Sequence, residues 1–242
     1  MKMNQTNQLI TNDAASLNRA GRKRIVVVLT TYAIIFGVMF LSAGTLNWLL
    51  AWVYTVITVL SFLTVGMWAA RKNPEIINER GRKPENTKSW DKVFGAIYAP
   101  MLFLIPAIAG LDFRYGWSGN ISQNISIFSY IGIIPALILP YLAMAENKFL
   151  TTTVRLQEER GHYVVSTGPY RFVRHPMYTG AILAHLLTPL ALGSWWAFVP
   201  GGIATLALII RTALEDKTLQ QELPGYQEYT QKTRYRLFPG IW

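Results

Sequence analysis

The 242-residue chain has no cysteine, which excludes disulfides, thiolate metal ligands and a cysteine nucleophile. Histidine is almost as scarce, with His162, His175 and His185 the whole supply. There is no HExxH helix and no pair of carboxylates at ligand spacing, so no metal is expected. A GxGxxG turn after a strand, a Walker loop and a GxSxG elbow are also missing, which excludes the soluble nucleotide-binding folds. Acidic residues number 13 against 23 Lys and Arg. No repeat, low-complexity tract or interdomain linker breaks the sequence.

The chain does have long apolar runs. It is 51% hydrophobic, with a mean hydropathy of +0.24. The runs cover residues 25–43, 48–70, 93–111, 125–145, 177–192 and 195–210, each long enough to approach or cross a bilayer. The expected fold is therefore all-α, a polytopic integral membrane bundle of about six transmembrane helices. Its last two helices should form a tight hairpin at Gly193-Ser194. The first run follows Arg22-Lys23-Arg24 and resembles a signal peptide ending near Ser42-Ala43-Gly44. A second apolar run begins at once, however, and a signal anchor explains the same residues. Three regions follow: a polar N-terminal tail at 1–24, a four-helix membrane region at 25–146, and a C-terminal region at 147–242 with the hairpin and a further tail. Prolines at 100, 106, 135, 140, 189 and 200 lie inside the runs, where they kink helices or free carbonyls.

Basic residues set the orientation. Twenty-two of the twenty-three Lys and Arg fall in 1–24, 71–92, 147–176 and 211–242, and the opposite loops hold only Arg114. The positive-inside rule places both termini, and the loop before residue 177, in the cytoplasm. The basic pI of about 9.9 then reflects topology and anionic headgroups, so no nucleic-acid partner is expected.

Chemistry-bearing residues gather in two places. In Gly168-Pro169-Tyr170-Arg171-Phe172-Val173-Arg174-His175-Pro176-Met177-Tyr178-Thr179-Gly180, the proline disfavours a helical His175. A helix starting at Pro176 would then carry the imidazole at its N-terminal end, which suits a carboxylate or phosphate. Arg171 and Arg174 add charge, Tyr170 and Tyr178 can stack on a planar ring, and Gly168 and Gly180 allow close backbone approach. A basic juxtamembrane loop with interfacial tyrosines explains the same residues equally well. The second place is Arg211 and Glu215, four residues apart on one helix face at the membrane boundary. They are either functional charges or a simple ion pair. Asp216, on the neighbouring face, is expected to meet water. His185, Glu146 and Asp112 read as satisfied packing or interfacial residues.

The ordered blocks His162-Tyr163-Val164-Val165-Ser166-Thr167-Gly168-Pro169-Tyr170, Arg174-His175-Pro176-Met177-Tyr178-Thr179-Gly180, and Arg211 with Glu215 resemble the isoprenylcysteine carboxyl methyltransferase family and its phospholipid methyltransferase relatives. The resemblance covers about residues 147–242. It implies a cytoplasmic pocket beneath the membrane for S-adenosylmethionine, and a lipophilic or prenylated acceptor presented among membrane lipids. By the same resemblance, cofactor contacts fall on Gln157, His162, Tyr163, Val164, Val165, Tyr170, His175, Pro176, Met177, Tyr178 and Glu215. Arg211 falls where the family binds substrate, so Arg211 and Glu215 are the candidate catalytic pair. Gln157 aligns only if the loop before His162 is two residues shorter here than in the family.

Methyl transfer from a sulfonium needs alignment and dryness rather than a metal. An ionised carboxylate acceptor would need no base, and Arg211 could position it. An amine acceptor would need deprotonation, by Glu215 or water. The Arg-His-Pro block and the ending Tyr235-Arg236-Leu237-Phe238-Pro239-Gly240-Ile241-Trp242 also resemble NADPH-dependent membrane sterol reductases. Met177 and Ala181 depart from that second pattern. A non-catalytic membrane protein is the remaining alternative. The identity of the acceptor and the oligomeric state are not legible.

Overall fold

The structure is a computed structural model that describes residues 16–82, 87–119 and 121–242. Most of the expected N-terminal tail, residues 1–15, lies outside the described residues. The elements in order are α1 (Arg19–Ala43), α2 (Leu49–Lys72), α3 (Pro74–Gly81), α4 (Ser89–Tyr115), α5 (Gln123–Glu146), α6 (Pro176–Leu192), α7 (Phe198–Glu222) and α8 (Tyr226–Lys232). No strand occurs among the described residues. Five of these helices, α1, α2, α4, α5 and α7, are long and apolar enough to cross a membrane, and α6 is a shorter apolar helix. Their outward faces carry exposed Val26, Leu41, Leu60, Val93, Phe128 and Ile210. The protein is a multi-pass helical membrane bundle.

Local chemistry sets the helix ends. Asn18 caps α1, its Oδ1 accepting from the Ala20 and Gly21 amides at 2.9 and 3.1 Å. The Asn18 amide in turn donates to Asn78 Oδ1 at 3.1 Å, which ties α1 to α3. α1 therefore starts at Arg19, and residues 19–24, expected in the tail, are helical. α3 was not foreseen as an element, although it starts with Pro74 in its first turn. The α6–α7 hairpin turns on Gly193 at φ 72°, a left-handed conformation that glycine adopts without strain. Below that turn the buried carboxylate of Asp112 accepts from the hydroxyls of Ser118 and Ser194, which fastens the hairpin to the end of α4.

Helix length places the site. α7 has 25 residues and is about 38 Å long, whereas α6 has 17 and is about 25 Å, short of a hydrocarbon core of about 30 Å. α6 thus begins at membrane depth, while α7 runs past it. The step between them is roofed by the loop 147–175 and by the C-terminal tail. α5 and α6 make the most extensive helix contact in the molecule. Gly180 is at its centre: a Cβ there would lie 2.7 Å from the Ala136 carbonyl oxygen and 2.6 Å from Pro140 Cδ. The absent side chain at Gly180 therefore admits the α5 backbone, whereas the sequence suggested approach to a ligand.

Candidate active site

A narrow cleft opens at the step between α6 and α7. One wall is the extended strip His162 to Val165. The second is Tyr170 with His175 to Tyr178 at the start of α6. The floor is Glu215 and Leu219 of α7 with Leu223 just past its end, and Tyr226 and Tyr229 of α8 close the end. The floor follows from helical geometry, since every fourth residue returns to the same face.

His162 is packed on Phe149, with ring centroids 4.4 Å apart, and its Nδ1 accepts from the Gln157 amide at 3.4 Å. That contact favours the tautomer with the proton on Nε2. Burial, reinforced by the Arg160 guanidinium, holds the His162 pKa down to about 4, so the ring is neutral at physiological pH. Gln157 itself is fully buried and away from the cleft. Its Nε2 donates to the Phe149 carbonyl at 2.6 Å and its Oε1 accepts from Arg160. Gln157 thus buttresses His162 from behind.

Glu215 is the carboxylate that faces the cleft. It accepts from Tyr178 Oη at 2.6 Å, and its side chain remains 14% exposed. His175 stacks on Tyr178 at 5.7 Å with the rings 5° from parallel, and its Nδ1 lies 3.9 Å from Glu215.

Asp216 corrects the expectation that it meets water, since it is completely buried. Arg174 forks onto it through Nε and Nη2 at 2.8 and 3.0 Å. Arg236 and Gln220 each donate to it at 2.8 Å and Tyr226 at 3.0 Å, and His175 Nε2 lies 3.3 Å away. The physical reason is the C-terminal tail, which folds back over this face of α7. The Arg174 and His175 amides donate to the Tyr235 and Arg236 carbonyls at 2.9 Å each, and Arg174 Nη1 reaches the Thr233 and Arg234 carbonyls. Arg174 is therefore committed to structure, whereas Arg171 is exposed.

Arg211 lies behind Tyr178, outside the cleft lining. Its Nη2 pairs with Asp91 of α4 at 3.1 Å and donates to the Thr152 carbonyl at 3.2 Å. The guanidinium also covers the Phe94 and Tyr178 rings at 4.4 and 5.5 Å. Its separation from Glu215 is 4.0 Å, and its buried Nε has no hydrogen-bond partner among the described residues. Arg211 therefore holds one donor in reserve beside the floor of the cleft.

Sequence reasoning missed Asp91, Asn147, which lines the cleft, and the aromatic end formed by Tyr226 and Tyr229. The Tyr-rich run of α8 was the available signal for the last of these. Asp91 has none, because its partner Arg211 lies 120 positions away in the sequence.

Residues 129–221 match the sequence model of the isoprenylcysteine carboxyl methyltransferase (ICMT) family. Over this stretch the chain is similar to the ICMT family. The match takes in most of α5, the whole roofing loop, α6 and nearly all of α7, which together form the cleft apart from its α8 end. α1 to α4 and the tail beyond α7 lie outside it. No curated protein matches the chain. The ICMT match and the apolar helices together support an integral membrane methyltransferase.

Proposed function

We propose that the cleft binds S-adenosylmethionine and that the protein moves its methyl group onto a lipophilic acceptor, an isoprenylcysteine-like carboxylate or another lipid, entering sideways from the bilayer. One observation carries this reading. Ten of the eleven positions that the family resemblance implies for the cofactor line this single cleft, Gln157 being the exception. The residues also suit the molecule chemically. Glu215 offers a carboxylate to an ammonium, His162 a neutral imidazole N–H, and Tyr170, Tyr178 and Tyr226 flat apolar faces to an adenine.

When bound, S-adenosylmethionine would supply an electrophilic methyl whose transfer to a lone pair of the acceptor leaves a neutral thioether. The chain contributes position and dryness. Glu215 and the His162 strip fix the two ends of the donor, and the tail over α7 keeps water from its flank. Arg211, held against Asp91, keeps Nε free to orient an acidic acceptor beside Tyr178. Both termini and the cleft face the cytoplasm in this reading, as the basic loops require.

The deciding experiment incubates purified protein with methyl-labelled S-adenosylmethionine and a lipid extract and identifies the labelled product. Alongside it, calorimetry measures S-adenosylhomocysteine binding. Micromolar affinity is expected, on the order of 7 to 8 kcal/mol. Binding of NADPH with none of S-adenosylhomocysteine would overturn the proposal in favour of a reductase.

A further inference from the structure

A second space adjoins the cleft. Between α1, α2, α5 and α6 lies a chamber of about 580 Å³, and Met177 borders both it and the cleft. From Met177 inward, one face of α6 forms its wall, through Ala181, Ala184, His185 and Thr188. Opposite, α2 leaves regular α geometry for a π turn at Phe62–Gly66, of which Phe62, Leu63 and Gly66 line the chamber. Such turns widen a helix locally and recur at functional sites. Val27, Leu29, Leu63 and Met67 on its walls are exposed, so the chamber opens toward lipid between α1 and α2.

The chamber is polar in a few places. Most of its hydroxyls satisfy each other: Tyr32 Oη is 3.2 Å from Tyr141 Oη, and Thr188 donates to Tyr54 at 3.5 Å. Thr58 Oγ1 on α2 and His185 on α6 are the exceptions, each buried with an atom that has no partner among the described residues. His185 is 7% exposed, its Nε2 lies 3.3 Å from Tyr98 Oη, and its Nδ1 is the unpartnered atom. A ring nitrogen without a partner at membrane depth is costly unless something arrives to bond it. Two guanidiniums, Arg24 and Arg80, also line the chamber, and neither pairs with a carboxylate among the described residues. An occupant of this space meets positive charge as well as one lone polar nitrogen deep along its length.

We infer that the acceptor is an acidic lipid with a hydroxyl or carbonyl group part-way along its chain, and that His185 Nδ1 bonds that group. This rests on the methyltransferase reading and narrows its acceptor. His185 lies eight residues from Met177, about 12 Å along α6, which sets the distance between headgroup and second polar group. An imidazole serves either chemistry, its Nδ1 accepting from a hydroxyl in one tautomer and donating to a carbonyl in the other.

The test uses the full-length protein in detergent micelles saturated with S-adenosylhomocysteine. Octadecanoate, 12-hydroxyoctadecanoate and 2-hydroxyoctadecanoate compete against radiolabelled octadecanoate. The 12-hydroxy lipid should bind roughly three- to tenfold more tightly than octadecanoate, the gain from one hydrogen bond to an otherwise unpaired group, and the 2-hydroxy lipid should show no such gain. His185→Leu should abolish the preference while leaving S-adenosylhomocysteine affinity unchanged. Equal binding of the lipids, a preference that survives His185→Leu, or binding of none of them overturns the inference. Loss of S-adenosylhomocysteine binding by the wild-type protein would instead sink the methyltransferase reading.

Discussion

Replacing Asp216 by Asn tests whether the site stands on a buried charge hub. The wild-type carboxylate accepts from Arg174, Arg236, Gln220 and Tyr226, with three donors converging on each oxygen once His175 is included. An amide of the same shape turns an NH2 toward one of those sets and leaves two guanidiniums without a counter-charge. Removing one partner of a buried ion pair is destabilising by about 3–5 kcal/mol. Arg236→Gln and Tyr226→Phe remove a single donor each. The Arg236 side chain is 32% exposed, so each change should be worth about 1 kcal/mol. Thermal unfolding in detergent, followed by tryptophan fluorescence, should therefore rank Asp216→Asn far below both single-donor variants. Because Arg174 also anchors the Thr233 and Arg234 carbonyls, S-adenosylhomocysteine binding should fall together with stability in Asp216→Asn. Should Asp216→Asn fail to fold, the two milder variants still report, since both must lie measurably below wild type. A melting point for Asp216→Asn within a degree of wild type, or single-donor variants that melt lower than it, would refute the hub.

Glu215→Gln keeps the hydrogen bond from Tyr178 but loses the charge, and should weaken S-adenosylhomocysteine about ten- to a hundredfold by calorimetry; unchanged affinity would remove Glu215 from cofactor binding. His162 has a folded pKa near 4 against about 6.5 unfolded. Its unfolded form binds the extra proton between those values, so its stabilising contribution is complete above about pH 6.5 and is lost as pH falls toward 4. The melting point should accordingly fall less steeply from pH 7 to 4.5 in His162→Asn than in wild type, and parallel curves would refute this. For orientation, an impermeant thiol reagent applied to intact cells should label Trp117→Cys, whereas Lys232→Cys should react only after permeabilisation; the reverse pattern would invert the topology.

The membrane helices were legible because hydropathy reports burial in lipid directly, and all six apolar runs lie on helices at the expected places. Their ends were not. α7 was expected to run past residue 210 far enough to carry Arg211 and Glu215 on one face, and it does, but it continues as helix to Glu222, and α4 begins at Ser89 rather than at residue 93. Hydropathy marks where a helix leaves lipid, whereas backbone hydrogen bonds continue for as long as side chains find partners in the next phase. The extra turns of α7 are where Glu215, Asp216 and Leu219 lie, so most of the floor of the cleft falls beyond the edge that hydropathy could draw. α3 and α8, of 8 and 7 residues, were missed because short polar helices carry no periodicity long enough to read.

Within the site, the residue types in the Arg174 to Gly180 block were apparent, but their division of labour was not. Arg174 and His175 are neighbours of similar chemistry in sequence. Arg174 is consumed by Asp216 and the tail carbonyls, while His175 keeps its Nδ1 side toward Glu215 and the cleft. Thr179 donates to the Leu237 carbonyl at 2.8 Å, and Gly180 admits the α5 backbone. The same contrast separates Glu215 from Asp216, adjacent carboxylates about 100° apart around one helix. One faces the cleft, and the other is roofed by a segment twenty residues further on, which local periodicity has no means to foresee. The block therefore interleaves residues that can hold a ligand with residues that hold the walls in place. Activity loss in a variant of this block does not by itself identify a ligand contact. Only paired measurements of melting point and S-adenosylhomocysteine affinity can assign each residue to one group or the other.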